Sequence, residues 1–310
     1  MHQALIHGIL NNDHGSISKA LTLVENNLPG QSSLLKELQK YSNQSLRIGV
    51  TGPPGAGKST LTDLLIEMFL KNQKTVGVIA VDPTSPFTGG AFLGDRVRMN
   101  NYAWDNSVFI RSMSSNGDLG GLAKRSQELG DVLSASGKDY IIYETVGVGQ
   151  SEHDIIRAAD LCLVVLVPES GDEIQMMKAG LIEIGDIFVI NKSDRSGANR
   201  LSTALRNLLH FTSSKERVEP SVVNTIGSEK KGLQELHNCL IKYAKKLKKS
   251  GELDKRRKGR YKERVLAHVR EKLEKKFWTE DKKMLLENSA LKIDGTSKAP
   301  HVMADDLLSQ

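Results

Sequence analysis

The chain has 310 residues, 39% of them hydrophobic and 26% charged, a balance that supports a buried core and excludes global disorder. Aromatics make up only 5%, so that core is mostly aliphatic. The net charge of +6 invites a nucleic-acid reading, but residues 242–283 alone carry 18 Lys+Arg against 7 Asp+Glu, a local +11 that leaves −5 on the rest.

Residues 3–44 read as helices. Leu5, Ile6, Ile9 and Leu10 recur at helical spacing, as do Ile17, Leu21 and Val24. Pro29-Gly30 ends the second helix, and Leu34, Leu35 and Leu38 mark a third. From residue 46 the pattern changes. Short β-rich runs at Leu46–Thr51, Thr75–Val81, Val108–Arg111, Tyr140–Tyr143, Leu161–Val167, Ile187–Ile190 and Val222–Asn224 alternate with helical stretches. The helices are expected at 58–72, 95–104, 121–136, 172–184, 198–209 and 232–249. Several strands are apolar on both faces, which predicts an α/β fold with a mostly parallel sheet covered on both sides. Beyond 250 the chain is rich in Lys and Arg. There Val265, Leu266, Val269, Leu273 and Phe277 share one helical face. Residues 294–310 read as a loose tail. The domain reading is therefore a helical extension (1–44), an α/β domain (45–249), a basic helical arm (250–293) and a tail (294–310).

The two cysteines, Cys162 and Cys239, belong to no CxxC or Cys/His cluster, so free thiols are expected rather than a disulfide or zinc site. No apolar run is long enough for a membrane span, and the N-terminus lacks signal-peptide features. The expectation is a cytoplasmic protein.

The strongest chemical signal is Gly52-Pro53-Pro54-Gly55-Ala56-Gly57-Lys58-Ser59, followed by Thr60. It fits GxxxxGK[ST] and sits between an expected strand and an expected helix, as a phosphate-binding loop requires. Glycines let backbone N–H groups converge on phosphate oxygens, and the helix N-terminus adds partial positive charge. Lys58 would reach the β/γ-phosphates and Ser59 would ligate Mg²⁺. Asn191-Lys192-Ser193-Asp194 follows the strand Ile187–Ile190 and resembles the guanine-reading NKxD motif. A carboxylate at Asp194 accepts from guanine N1–H and the 2-amino group, a donor pair that adenine lacks. The Lys192 stem would cover the base. Glu144-Thr145-Val146-Gly147 occupies the DxxG position with Glu in place of Asp. A carboxylate there can hold Mg²⁺, and the Gly147 amide can contact the γ-phosphate.

These motifs, with Val81-Asp82-Pro83-Thr84-Ser85, the run Gly89–Met99, Leu119-Gly120-Gly121, Glu144–Glu152 and Gly171-Asp172-Glu173, resemble the methylmalonyl-CoA mutase-associated GTPases, over about residues 4–240. The resemblance implies a P-loop NTPase G domain of the SRP/MinD-related class, with an N-terminal helical extension and a C-terminal dimerisation arm. It implies a GTP- and Mg²⁺-dependent chaperone that gates adenosylcobalamin loading and protects a cobalamin-dependent acyl-CoA mutase, working as a homodimer. It implies that Asp82 and Asp95 join Ser59 and Glu144 around Mg²⁺, although Asp82 also fits a turn before Pro83 and Asp95 a helix-start charge. Asp172 and Lys178 match a third switch that relays nucleotide state and supports hydrolysis, while Lys178 also fits a solvated helix residue. The last guanine loop, Asn224-Thr225-Ile226, departs from the usual Ser-Ala pair. No residue identifies itself as the water-orienting group. Gln150 and Glu152 stand near that loop, and either also suits a helix start.

Two other functions stay open at this level: a nickel-insertion GTPase and, less well supported, a kinase. The basic arm reads first as a dimerisation element and then as a contact to an acidic partner. It reads least as a nucleic-acid module, because it offers only Tyr261, Phe277 and Trp278 for base stacking.

Overall fold

The computed structural model describes residues 2–82, 101–102, 104–114, 119–145, 157–168, 181–212, 218–290 and 298–309, apart from the side chains of His2, Asp82, Ser114, residues 119–124 and Thr212. Three helices open the chain: α1 (His2–Leu10), α2 (His14–Glu25) and α3 (Gln31–Leu38). Asp13 caps α2 by accepting from the Ser16 amide at 2.8 Å. Strands and helices then alternate: β1 (Leu46–Thr51), α4 (Lys58–Lys71), β2 (Val76–Asp82), β3 (Val108–Ser114), α5 (Leu119–Ala135) and β4 (Tyr140–Thr145). They continue as β5 (Leu161–Leu166), α6 (Leu181–Ile184), β6 (Ile187–Ile190), α7 (Ala198–Thr212), β7 (Ser221–Asn224) and α8 (Leu233–Lys249).

Among the described residues, seven strands form one sheet in the order β3-β2-β4-β1-β5-β6-β7, with all neighbouring strands parallel. The period of two explains why the strands read as unbroken apolar runs. In β5, Leu161, Leu163 and Val165 join the core on one face, while Cys162, Val164 and Leu166 join the core on the other. In β4, Ile142 faces the first core and Ile141 and Tyr143 face the opposite side. The first core gathers Leu61, Leu65 and Phe69 of α4 with Leu236, Leu240 and Tyr243 of α8. The N-terminal helices pack on the opposite side with α5, through Ile9, Ile17, Leu21, Leu34, Leu129 and Val132. Each fully buried aliphatic side chain contributes about 1.5–3 kcal/mol relative to exposure. Arg111 of β3 ties the extension further, reaching Glu25 of α2 at 2.5 Å.

The expected strands and the helices at 58–72, 121–136, 198–209 and 232–249 are present, with ends displaced by at most a few residues. The expected helix at 95–104 lies almost wholly outside the described residues, and that at 172–184 is described only over Leu181–Ile184. Neither Cys162 nor Cys239 forms a disulfide. Among the described residues, no helix is long and apolar enough to cross a membrane.

Two compact units divide the chain, residues 1–260 and 261–310. The break falls inside helix α9 (Glu252–Phe277), later than the boundary at 249 drawn from the sequence. The reason is electrostatic. Arg257 donates to Asp160 Oδ2 at 2.8 Å, Arg260 also pairs with Asp160, and Arg256 reaches Asp186 Oδ2 at 2.8 Å. Asp160 and Asp186 stand just before β5 and β6 and are almost wholly buried, so the first turns of α9 belong to the sheet domain. Tyr243 adds its hydroxyl to Asp186 Oδ1 at 3.0 Å, and Arg47 donates its backbone N–H to Asp160 at 3.0 Å.

The second unit also differs from the sequence reading. It holds the rest of α9, α10 (Glu280–Ala290) and α11 (Pro300–Ser309). The segment expected to be a loose tail therefore contains a helix. Pro300 occupies its first position, where a missing N–H costs nothing, and Met303 and Leu307 are buried four residues apart. Lys282 Nζ donates to the Leu307 carbonyl at 2.8 Å, and Lys298 pairs with Asp306 at 2.5 Å. Val265, Leu266, Val269 and Leu273 of α9 remain exposed.

Burial would raise the Asp160 carboxyl, but the Arg257 hydrogen bond, the charges of Arg260 and Arg257 and the Arg47 amide hold it at about 2. A carboxyl depressed in the folded state stabilises above its unfolded value of 3.8 and loses that contribution as pH falls toward about 2. Asp160→Asn should therefore cost about 3–5 kcal/mol near neutrality, because it leaves buried arginines unpaired. Urea denaturation should show the gap to wild type narrowing by roughly 2 kcal/mol between about pH 5 and pH 2. A gap independent of pH would contradict the clasp.

Candidate nucleotide-binding site

Because all seven strands are parallel, the C-terminal ends of β1, β4, β6 and β7 open on one edge. That edge is where open α/β sheets bind ligands. It holds the loop 52–57 after β1, Glu144 near the end of β4, Asn191–Asp194 after β6 and Asn224–Gly227 at the end of β7.

The loop after β1 is shaped by close approaches. At Gly52, with φ +138°, an added Cβ would lie 2.0 Å from the Val165 carbonyl oxygen of β5. At Gly57, with φ +91°, it would lie 2.4 Å from Asn191 Nδ2. Only glycine satisfies both the positive φ and the space. Pro53, Pro54 and Gly55 line the outside of the turn, half-buried to exposed, and Ala56 is buried beneath it. Lys58 opens α4 and is 6% exposed, its Nζ donating to the Gly52 carbonyl at 2.7 Å and the Pro53 carbonyl at 3.0 Å. Ser59 and Thr60 follow on the exposed first turn, where unpaired amides and the helix dipole favour an anion.

Ser59 Oγ donates to Glu144 Oε1 at 2.5 Å. Ser59 is exposed while Glu144 is 6% exposed, so a carboxylate and a hydroxyl meet at the mouth of the phosphate loop. Two hard oxygen donors at this position fit the chemistry of Mg²⁺, which prefers carboxylate, hydroxyl, water and phosphate ligands. Asp82 ends β2, beside β4, in the register that pairs Val81 with Thr145. Asp95, Gly147, Asp172 and Lys178, like Gln150 and Glu152, lie outside the described residues.

The guanine-type loop is braced by one amide. Asn191 is 3% exposed. Its Nδ2 donates to the Ala56 carbonyl at 2.9 Å, and its Oδ1 accepts from Thr225 Oγ1 at 3.1 Å and from the Gly227 amide at 3.0 Å. Ser193 N–H donates to the Thr225 carbonyl at 3.0 Å. Lys192 adopts φ +53° and lays its Nζ on the Gly55 carbonyl at 2.9 Å, so its stem runs from the β6 loop to the phosphate loop. Asp194 is exposed. Asn224 and Ile226 flank the buried Thr225, and Ile226 forms an antiparallel bridge with Lys231.

Residues 227–231 were not singled out from the sequence. Lys230 pairs with Glu67 of α4 at 2.7 Å and anchors the turn after β7. The Lys231 amine is raised by its hydrogen bond to Glu229 and by that carboxylate's charge, with the Asp194 charge adding to it. A lysine pair beyond the last strand carries no local pattern that would reveal this.

A phosphate loop, a carboxylate at its mouth and an NKxD-type loop, joined at the C-terminal edge of a parallel sheet, define a P-loop GTPase. The chain belongs to the methylmalonyl-CoA mutase-associated GTPase MeaB family, whose profile matches residues 17–282. It is 45% identical over 264 residues to a putative GTPase of Pyrococcus horikoshii, covering 84% of this chain and 83% of that one. It is 39% identical to the GTPase ArgK of Escherichia coli over 251 residues, 78% of this chain and 75% of that one. A mitochondrial methylmalonic aciduria type A homolog of Caenorhabditis briggsae is 30% identical over 322 residues, 98% of this chain and 78% of its own length. The crystal structure of an LAO/AO transport system kinase superposes with a TM-score of 0.75 at 27% identity, covering 99% of this chain and 96% of that one.

Two substitutions separate the arms of the Asn191 brace. Asn191→Ala removes all three bonds and should lower stability by about 1–3 kcal/mol, through the buried groups left unpaired. Asn191→Asp keeps the acceptor for Thr225 and Gly227 but loses the donor to Ala56. It should retain more stability than the alanine variant yet bind GDP at least tenfold more weakly than wild type, as read by calorimetric titration. Wild-type GDP affinity in both variants would remove the brace from the binding site.

Proposed function

We propose that this GTPase acts as a chaperone of an adenosylcobalamin-dependent acyl-CoA mutase, methylmalonyl-CoA mutase or a close relative, gating cofactor loading and protecting the enzyme from inactivation. The observation that carries the reading is the family match over residues 17–282, supported by likeness to the methylmalonic aciduria type A homolog along 98% of the chain. A cytoplasmic location goes with this reading.

GTP and GDP are the bound nucleotides. The loop Gly52–Gly57 and the first turn at Lys58, Ser59 and Thr60 hold the phosphates. Lys58 neutralises charge that develops on them, and its present bonds to loop carbonyls keep the side chain at the site until phosphate replaces them. Asp194 reads the guanine edge, Lys192 covers one side of the base, and the Asn224–Ile226 backbone faces it from the β7 loop. Ser59 and Glu144, with Asp82 and Asp95, would hold Mg²⁺, whose charge would neutralise the β- and γ-phosphate oxygens. The Gly147 amide is assigned to the γ-phosphate. Asp172 and Lys178 are assigned to a switch that couples nucleotide state to the client. Catalysis here is positioning and electrostatics, with no covalent intermediate on the chain.

We assign α9 to self-association, as a dimerisation arm. Its exposed Leu266, Val269 and Leu273 are 56%, 46% and 60% accessible, an apolar stripe that a second copy would cover. Sedimentation should find a dimer for wild type and a monomer for the chain carrying Leu266→Glu and Val269→Glu. A dimer that persists in that variant would refute the assignment.

The client itself is tested by affinity capture of the full chain from its source cells, with GDP or a non-hydrolysable GTP analogue present. A cobalamin-dependent mutase subunit should be recovered, in amounts that depend on the nucleotide. Recovery of no such subunit in either state would overturn the chaperone reading.

A further inference from the structure

Helix α8 buries Leu236, Leu240, Tyr243 and Leu247 against the sheet. Its other side is strongly cationic. Lys242, Lys245, Lys246, Lys248 and Lys249 are all exposed, and none takes part in an ion pair among the described residues. Lys246, Lys248 and Lys249 lie in the last turn, where they favour the negative end of the helix dipole. Lys242 and Lys245 lie before it and gain nothing comparable there. This contrasts with Arg256, Arg257 and Arg260 of α9, whose charges are matched by Asp160 and Asp186. The uncompensated part of the basic segment therefore begins on the sheet domain, on α8.

These lysines also have shape. A groove of about 430 Å³ is lined by Ile241, Lys242, Lys245, Lys246 and Lys249, with His237 nearer the start of the helix. The lysines fall at i, i+3, i+4 and i+7, and their aliphatic stems flank Ile241. His237 is 9% exposed, packs its ring 5.7 Å from Phe69, and leaves Nδ1 without a hydrogen-bond partner.

The chemistry of the lining selects among anions. All the groove cations are lysines, point charges that attract carboxylate and phosphate alike, so the choice rests on the rest of the lining. No Phe, Tyr or Trp lines the groove, so bases find no stacking platform. Apolar stems around an isoleucine, rimmed by ammonium groups, match a segment that is apolar in the middle and carboxylate-bearing at its edges.

We propose that the α8 groove docks an acidic amphipathic segment of a partner protein, with carboxylates at helical spacing facing Lys242, Lys245, Lys246 and Lys249 and an aliphatic side chain on Ile241. This rests on the chain having a protein client, but not on the client being a mutase. Docking would be strongest at low ionic strength, because exposed pairs are screened over about 8 Å at physiological salt.

The test uses the full chain and a fluorescent helical peptide of about 18 residues. The peptide bears Glu at i, i+3, i+4 and i+7 around a Leu, and a Gln-for-Glu peptide serves as its control. Anisotropy is read at low and moderate salt. The variant Lys242→Glu, Lys245→Glu, Lys246→Glu and Lys249→Glu should bind the acidic peptide at least tenfold more weakly than wild type. A charge-matched variant on α9, Lys258→Glu, Lys262→Glu, Lys272→Glu and Lys276→Glu, should change affinity less than twofold. The Gln peptide should not bind, and basal GTP turnover should be unchanged in both variants. If the groove variant fails to fold, its Lys→Gln counterpart takes its place, with the same expectation. Equal losses in both variants would overturn the proposal, as would binding of the Gln peptide. So would single-stranded RNA or tripolyphosphate that displaces the acidic peptide with the same lysine dependence. Failure to capture a mutase while peptide docking persists would count against the client assignment alone.

Discussion

The nucleotide edge of this protein depends on one buried side-chain amide. Asn191 spends its donor on the Ala56 carbonyl and its acceptor on Thr225 and Gly227, so three loops from three strands share one anchor. The arrangement is possible only because β1, β6 and β7 run in the same direction and deliver their loops to the same edge. It also explains Gly57, where any side chain would collide with the anchor. A phosphate loop and a base loop held this way are positioned before nucleotide arrives, so less binding energy goes into ordering them.

The opposite edge is fixed by a different device. Asp160 and Asp186, buried ahead of β5 and β6, are met by Arg256, Arg257 and Arg260 from the first turns of α9. One edge of the sheet is thus tied by neutral hydrogen bonds and presents its free donors to an anion. The other is closed by charge pairs that fasten the C-terminal helix. The local excess of +11 in residues 242–283 divides accordingly. Some of it is consumed inside the fold, and the lysines of α8 remain in solvent.

What the sequence revealed follows from the range of the physics. The strands were legible because a parallel sheet buries both faces, leaving runs such as Leu161–Leu166 with no polar interruption. The phosphate loop and the Asn191–Asp194 loop were legible because each packs its chemistry into a few adjacent residues. The arginine clasp was not, since Asp160 and Arg257 meet across nearly a hundred residues and neither stands out locally. For that reason the first compact unit runs to residue 260, past the boundary at 249 drawn from the sequence. Helix α11 was hidden by its flanking Gly, Ser and Pro residues, although Met303 and Leu307 keep helical spacing within it. The role of Asn191 as a brace, rather than a contact to the base alone, depends on Ala56, Thr225 and Gly227 and exists only in three dimensions.

The braced edge of the sheet is expected to select guanine over adenine nucleotides. The most direct measurement is a competition titration of GDP and ADP against the full chain in the presence of Mg²⁺. GDP should bind at least about a hundredfold more tightly, because adenine leaves the Asp194 carboxylate without its donor pair. Comparable affinities for the two nucleotides would contradict it.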